Sequence, residues 1–446
     1  MSAAGTERRA AAGTPPAATT HLPASRTPAG ADGAPLRVDR PSWWPGSPDD
    51  AALERTVRDA GGTPVLGAEV VVGGRALVEV TFLWEDVAAA DGPATGPEVM
   101  VHLNSLTDRH REDVSGAILE RVPGTRWHAL TYLLDPASIL GYTVVVRPEI
   151  ARDAGATRPG WVAVHEDGRP DPRCPAPLAT ARGGASLWAG PRSRTHREWD
   201  APRPVGSPGW AHRLEIGDAE RRLTLVTGTA QDPHAPAPRL LVLLDGEMWR
   251  SHDVVPRLAD RAGALDLLIL DSIGHPERAR DLPDPERCAR ILEDALRAAR
   301  TAAGAEWSAA DVIVAGQSFG GLAAAETVLR RPDLAALGIA QSGSYWFGSD
   351  QAPGTGRGAL LRWLEEAVAE SPERLTGRLV VQVGAEEGDM VDGSAELVER
   401  LRPTEVVLAH EVWQGGHDYA WWRHGLSAAL DRLDELDAHR ERVTAP

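Results

Sequence analysis

Ser318 stands in Gly316-Gln317-Ser318-Phe319-Gly320-Gly321, directly after the apolar run Val312-Ile313-Val314-Ala315. A helix-like run, residues 322–329, follows at once. Apolar strand, Gly-x-Ser-x-Gly, then helix is the sequence form of a nucleophile elbow. The glycines leave room for a strained turn, and the helix aims its N-terminal amides and dipole at the serine. The chemistry expected is acyl transfer through an activated hydroxyl. Gly-x-Ser-x-Gly also arises by chance in Gly-rich chains as a plain turn, so the serine needs partners elsewhere.

A serine hydroxyl is a poor nucleophile until a base takes its proton. His417, in Gln414-Gly415-Gly416-His417-Asp418, follows the last apolar strand, and its paired glycines free a loop to reach the elbow. The third member belongs after the strand 379–383, in Gly384-Ala385-Glu386-Glu387-Gly388-Asp389. Serine, acid, histidine is the chain order of α/β-hydrolases. Glu387 is the first choice of acid, Asp389 the second, and a Ser–His dyad without an acid the remaining option. Two N–H donors must hold the oxyanion. Phe319 supplies one; Gly246 or Glu247, in Leu243-Leu244-Asp245-Gly246-Glu247-Met248-Trp249, supplies the other. One such donor contributes about 3–4 kcal/mol to transition-state stabilisation. His275, after the strand 265–271, has two readings, a pocket-lining residue or a surface loop, and the surface loop is the one expected.

These side chains need a scaffold. Apolar strands at 223–227, 239–244, 265–271, 311–315, 337–341, 379–383 and 405–412 are separated by helix-like runs, including 285–302, 319–329, 360–370 and 393–401. That rhythm predicts a parallel sheet covered on both faces, an α/β-hydrolase domain over 213–440. Upstream, Val78, Val80, Phe82 and Trp84 alternate with Glu79 and Thr81, and further strands fall at 98–104, 126–134 and 142–147. Strands without intervening helices predict an N-terminal β-sandwich over 37–165. A short helix at 49–59 should end at Gly61 and Gly62. Residues 166–212, dense in Pro, Gly, Arg and Ser, read as a linker or wrapping segment in which Trp188, Trp199 and Trp210 pack onto something. Residues 1–36 lack the apolar core of a signal peptide and read as a disordered tail.

The 446 residues leave room for two domains, and a formal charge of −17 argues against nucleic acid as a partner. No apolar run is long enough to span a bilayer, so no membrane partner is expected. Cys174 and Cys288 offer neither a disulfide framework nor a zinc spacing, which fits a reducing cytoplasm. No cofactor and no protein-bound metal are expected. Trp supplies 15 aromatics against 4 Tyr and 3 Phe, and the chain has no Lys. Trp offers broad contact faces, although any one Trp is more often core or lid packing; Arg grips planar oxyanions well.

Several separated motifs resemble the enterochelin (enterobactin) esterase family. They are Leu243-Leu244-Asp245-Gly246 with Trp249, the elbow itself, Gln341-Ser342-Gly343-Ser344-Tyr345-Trp346, and Gly415-Gly416-His417-Asp418 with Trp422-Arg423. Arg278-Ala279-Arg280-Asp281-Leu282 is similar to an Arg-x-x-Glu-Leu stretch of that family. In the N-terminal half, Val80-Thr81-Phe82-Leu83-Trp84, Asn104-Ser105-Leu106-Thr107-Asp108-Arg109 and Gly160-Trp161 are similar to its N-terminal domain. The resemblance implies an esterase D-like hydrolase domain and a cytoplasmic enzyme that cuts the ester bonds of a ferric catecholate siderophore, with iron present only as part of the substrate. The pocket expected for so large an aromatic anion contains Trp249, Trp346 and Arg278, is locally positive, and is roofed by the sandwich through Trp84 and Arg109. A roof predicts that removing residues 1–209 harms siderophore hydrolysis more than hydrolysis of a small p-nitrophenyl ester. A broad carboxylesterase or acyltransferase is the alternative, though it would not need the sandwich. A siderophore-binding protein with a decayed site is the other, though Ser318 and His417 are intact.

Overall fold

A computed structural model describes residues 19–21, 26–44, 46–87, 96–180, 183–200, 210–216, 219–227, 238–261, 264–351 and 355–444. They form two sheets. The strands in chain order are β1 (Thr19–His21), β2 (Val65–Val72), β3 (Arg75–Glu85), β4 (Glu98–Leu103), β5 (Ile118–Arg121), β6 (Trp127–Leu134), β7 (Ile139–Arg147), β8 (Pro177–Thr180) and β9 (Gly183–Ala189). They continue with β10 (Trp210–Ile216), β11 (Ala219–Val226), β12 (Arg239–Leu243), β13 (Leu265–Leu270), β14 (Val312–Gln317), β15 (Leu337–Gln341), β16 (Arg378–Gly384) and β17 (Val407–Trp413).

The first sheet has eight antiparallel strands in the order β2-β3-β6-β5-β4-β7-β9-β8. It folds over at the short β5, so that β3 and β6 face β4, β7 and β9 as a sandwich. Val78, Val80 and Phe82 pack there against Val99, Val101, Tyr142 and Trp188, with the Phe82 and Tyr142 rings edge to face at 5.1 Å. The opposite face of β3 is buried as well. The Glu79 carboxylate accepts from Ser42 N–H (2.8 Å) and Ser42 Oγ (2.6 Å), and Trp43 Nε1 donates to Thr81 Oγ1 at 3.2 Å. The helix Asp50–Asp59, capped by the Asp49 side chain, buries Leu53 and Val57 on the same side.

Two expectations are corrected here. Residues 166–212 are not simply a linker: β8 and β9 extend the sandwich beyond β7, and Trp188 lies in its core. Trp199 is buried against the hydrolase side, where its Nε1 donates to Ser427 Oγ at 2.8 Å; the Trp210 side chain lies outside the described residues. The disordered-tail reading of 1–36 fails from residue 26 onward. Ala29 bridges to Pro35, Leu133 N–H donates to Leu36 O at 2.8 Å, and Thr27 is buried. β1 runs parallel to β17 at the sheet edge. The rest of that stretch lies outside the described residues.

The second sheet has nine strands, β1-β17-β16-β15-β14-β12-β13-β11-β10. Its central strands are parallel, as expected, but β10 and β11 form an antiparallel hairpin joined antiparallel to β13. Alternate residues serve opposite faces. Leu241, Leu243, Ile313, Ala315 and Ile339 meet the C-terminal helix Tyr419–Thr444, whereas Leu240, Val242, Val312 and Val314 meet the helices Pro285–Ala303 and Phe319–Arg330. Ile139, Leu178 and Ala185 of the sandwich belong to the first of these clusters, so apolar packing runs unbroken between the two sheets. No described helix is long and apolar enough to cross a membrane.

A buried glutamine ladder sets the level of the site. Gln317, Gln341, Gln382 and Glu411 are register partners on β14, β15, β16 and β17. Gln317 Nε2 donates to Gln341 Oε1 (2.8 Å), Gln341 Nε2 to Gln382 Oε1 (2.8 Å), and Gln382 Nε2 to Glu411 Oε2 (3.0 Å). A buried side-chain amide must be satisfied, so this row fixes the register of four strands just where they end.

Candidate active site

Among the described residues, Ser105, Asp245, Asp253, Ile273, Ser318 and Ser342 are the non-glycine positions with positive φ. Four of these six stand at the ends of the loops that meet around Ser318, where stored backbone strain tends to collect. Ser318 itself has φ 58° and ψ −117° and caps the helix Phe319–Arg330. Its N–H donates to Gln341 O at 3.1 Å. The turn needs Gly316: a Cβ there would come within 2.4 Å of the Gly320 backbone. The Ser318 Oγ lies 3.4 Å from Ser344 Oγ, and it makes no hydrogen bond to His417 among the described residues.

His417 and Glu387 do meet. His417 Nδ1 lies 2.7 Å from Glu387 Oε2. The Glu387 side chain is fully buried and the His417 side chain is one-third exposed. A buried carboxylate must be hydrogen-bonded. The other oxygen, Oε1, accepts from Gly384 N–H (2.8 Å) and Ser342 Oγ (2.7 Å), and Ser342 Oγ in turn accepts from Trp422 Nε1 at 2.8 Å. The two donors to Oε1, with Trp422 holding Ser342 behind them, fix the carboxylate, which holds one ring nitrogen of His417. Trp422 packs against that ring nearly at right angles, at 4.9 Å between centroids. Asp389 is exposed, at the first turn of the helix Asp389–Leu401.

The sandwich grips the histidine. His417 N–H donates to both Asn104 Oδ1 and Ser105 Oγ at 2.9 Å, and Asn104 Nδ2 returns a bond to His417 O at 3.3 Å. Gly416 has no room for a side chain, because a Cβ would meet Asn104 O at 2.7 Å. Gly141 N–H donates to Asp418 Oδ2 at 2.8 Å, and Ile139 N–H to Gln414 O at 2.8 Å. Burial pushes the Asp418 carboxyl up to about 6 in spite of these donors. Arg109 forms an ion pair with the buried Glu386 and donates to Thr27 O at 3.1 Å. Glu386 also accepts from Thr27 N–H and Oγ1, at 2.9 and 2.7 Å. Both loops that carry the Glu387–His417 pair are thus fastened by the N-terminal half.

That geometry alters the roof expectation. The double substitution Asn104→Ala/Ser105→Ala releases the His417 backbone, and a misplacement of about 1 Å costs roughly 10²-fold in rate. The expected result is a kcat fall of that order on p-nitrophenyl acetate and siderophore alike. A loss confined to the siderophore would restore the roof.

The residues expected to bind substrate are mostly placed otherwise. Trp249 is fully buried in the core, edge to face with Tyr419 at 5.3 Å. Arg278 clamps Asp245 through two bonds of 2.7 and 2.8 Å and donates to Gln317 O at 3.1 Å, so its charge is neutralised and it ties the loop after β12 to the elbow. Ser272 Oγ completes the hold on Asp245 at 2.7 Å. Trp84 packs half-buried against the sandwich core. Arg109 is occupied by Glu386. His275 is exposed at the start of a helix. Trp346 is the exception: beside Phe319, at 6.1 Å between rings, it lines a cavity of about 860 Å³. Asp350, Glu365, Asp389, Asp392 and Glu396 also line that cavity, against Arg357 and Arg362. It is acidic, not locally positive.

Phe319, Gly246 and Glu247 all lie in the first turn of a helix, where backbone N–H groups have no intrahelical acceptor. Ser342, Ser344 and Asn104-Ser105 were within recognisable motifs, but nothing local in the sequence says what their hydroxyls and amide touch.

An elbow serine, a carboxylate-held histidine and a mixed sheet with parallel centre define a serine hydrolase of the α/β-hydrolase class. Residues 79–199 match the family model described as enterochelin esterase, N-terminal. The chain is 29% identical over 373 residues to an iron(III) enterobactin esterase of Escherichia coli O6:H1, spanning 79% of this chain and 90% of that one. An iron(III) salmochelin esterase of the same strain is 29% identical over 387 residues, 83% of this chain and 90% of its own. The crystal structure of the enterobactin esterase from Shigella flexneri in the presence of enterobactin superposes with a TM-score of 0.70 at 26% identity, over 85% of this chain and 96% of that one. Over most of its length the chain is similar to enterochelin esterases.

Proposed function

We propose that this enzyme hydrolyses the ester bonds of a catecholate trilactone siderophore such as enterobactin, using Ser318, His417 and Glu387. The observation that carries the reading is the 2.7 Å contact between His417 and Glu387 behind a strained serine elbow, in a chain whose two halves both align with enterobactin esterases. Ser318 turns from Ser344 toward His417 and attacks the ester carbonyl as His417 takes its proton. Glu387 holds the imidazole tautomer and stabilises the imidazolium. The amides of Phe319 and of Gly246 or Glu247 receive the oxyanion. His417 then protonates the departing alcohol, and water releases the acyl group by the same route. The reaction needs no cofactor; iron enters only as part of the substrate.

One observation favours a narrower form of the reading. Arg278 and Arg109 are both paired with carboxylates, and the cavity beside Trp346 carries more acids than bases. Like charge disfavours the intact ferric anion there. The iron-free macrocycle or a linear trimer suits it better. Mass spectrometry of products from ferric enterobactin, iron-free enterobactin and its linear trimer, with p-nitrophenyl acetate alongside, tests both levels. Cleavage to shorter dihydroxybenzoyl-serine units, faster without iron, is expected. Turnover of the small ester alone would make the chain a broad esterase. Siderophore binding with no ester cleaved would make it a binding protein.

A further inference from the structure

A second cavity, about 280 Å³, opens beside His417 and Asp418 and is walled by the sandwich residues His102, Asn104, Thr143 and His165. His102 stands on β4 and His165 on the helix Arg158–Asp167, with Asp108 next to them. One ligand atom from each of His102, Asp108 and His165 lies within 4.8 Å of the other two. His102 is only 5% exposed, yet its Nε2 is buried and makes no hydrogen bond among the described residues. Asp108 Oδ2 lies 3.5 Å from that nitrogen. At 3.5 Å that contact is a long ion pair and no firm hydrogen bond, so this buried nitrogen is only loosely satisfied.

The surroundings are those of an oriented ligand set. Asp108 Oδ2 accepts from Ser105 N–H at 2.8 Å, and Asp108 Oδ1 from Trp161 Nε1 at 2.8 Å. Outer hydrogen bonds of this kind fix a ligating carboxylate. The His102, His165 and Trp161 rings pack edge to face, His102 at 4.4 Å from His165 and 5.2 Å from Trp161, which restricts how either imidazole can turn.

We propose that His102, Asp108 and His165 bind one divalent first-row transition metal ion, with its remaining coordination positions open to the cavity. Two imidazoles and a carboxylate suit Zn²⁺ and Co²⁺ rather than Mg²⁺ or Ca²⁺, which favour all-oxygen sets. Metal–ligand bonds of about 2.0–2.2 Å require the three ligand atoms to draw together by roughly 1 Å. The ion stays outside the hydrolytic steps. Its lever is Ser105, whose N–H holds Asp108 and whose Oγ holds His417 N–H. An occupied site therefore stiffens the turn that grips the histidine. This departs from the expectation of no protein-bound metal and does not depend on which ester is cut.

The test is calorimetric titration of the chelator-treated full chain with Zn²⁺, with Co²⁺ absorption and Tm as parallel readouts. One saturable equivalent per chain, ligand-field bands with Co²⁺ and a Zn²⁺-dependent rise in Tm are expected. His102→Ala and His165→Gln should each weaken binding by at least roughly tenfold. His165 is only partly buried, so its variant keeps the test valid if His102→Ala does not fold. Absence of saturable uptake overturns the proposal, leaving a His102–Asp108 ion pair. Undiminished affinity in His165→Gln also overturns it, by placing the ion elsewhere among the 14 histidines.

Discussion

Ser318→Ala should lower kcat by roughly 10⁵–10⁶-fold on any ester the enzyme accepts, while siderophore binding, followed by quenching of Trp fluorescence, stays within a few-fold of the parent. The hydroxyl is the only nucleophile the elbow presents, and its removal disturbs little else. Its described contact is a single 3.4 Å approach to Ser344 Oγ, and the turn is held by backbone bonds and by the close passage of Gly316 past Gly320. Tm should therefore hardly move. The combination matters, because a lost rate with a collapsed Tm would report misfolding. Turnover within tenfold of the parent would remove Ser318 from the mechanism.

Glu387→Gln separates a full relay from a dyad. The Gln side chain has the same size, and its carbonyl oxygen can keep the Gly384 N–H and Ser342 hydroxyl donors. Its NH₂ group then faces His417 Nδ1. That nitrogen must accept, which puts the ring proton on Nε2, where the Ser318 proton has to go. The wrong tautomer and the missing charge together should lower kcat by roughly 10⁴-fold with KM little changed. Asp389→Asn, in an exposed helix turn, should stay within several-fold of the parent. If the two variants exchange these outcomes, the acid is Asp389. If neither slows the enzyme, the site works as a dyad.

The hydrolase half was readable because its signals are local. Strands buried on both faces are apolar throughout, amphipathic helices follow them, and the elbow sits where one gives way to the other. The order of Ser318, Glu387 and His417 along the chain then pointed to the ends of three strands, β14, β16 and β17, of which the first is separated from the other two by β15. What could not be read depends on contacts without local pattern. Asn104 and His417 are 313 positions apart. Arg278 and Trp249 looked like ligand-binding residues because of their motifs. Residue type does not reveal that the Arg meets Asp245 before any anion, or that the Trp is sealed beneath Tyr419. Residues 26–36 and β8–β9 are rich in Pro, Gly and small residues. They are ordered by backbone pairing with other strands and by a buried Glu386, which composition cannot register.

The glutamine ladder has a sense as well as a position. An ionised Glu411 can only accept, so Gln382 must turn its NH₂ outward to it and offer its oxygen inward. The same demand passes to Gln341 and then to Gln317, whose oxygen is left to receive the Tyr419 hydroxyl at 3.3 Å. Three amides that could each flip are thereby polarised in one direction by a carboxylate three strands, roughly 14 Å, from the elbow. The C-terminal helix holds the same direction, because Gln382 Nε2 also donates to Gly425 O at 3.0 Å and Gln341 Nε2 to Trp422 O at 2.8 Å, so the row beneath Ser318 is locked to that helix as well as to the sheet edge.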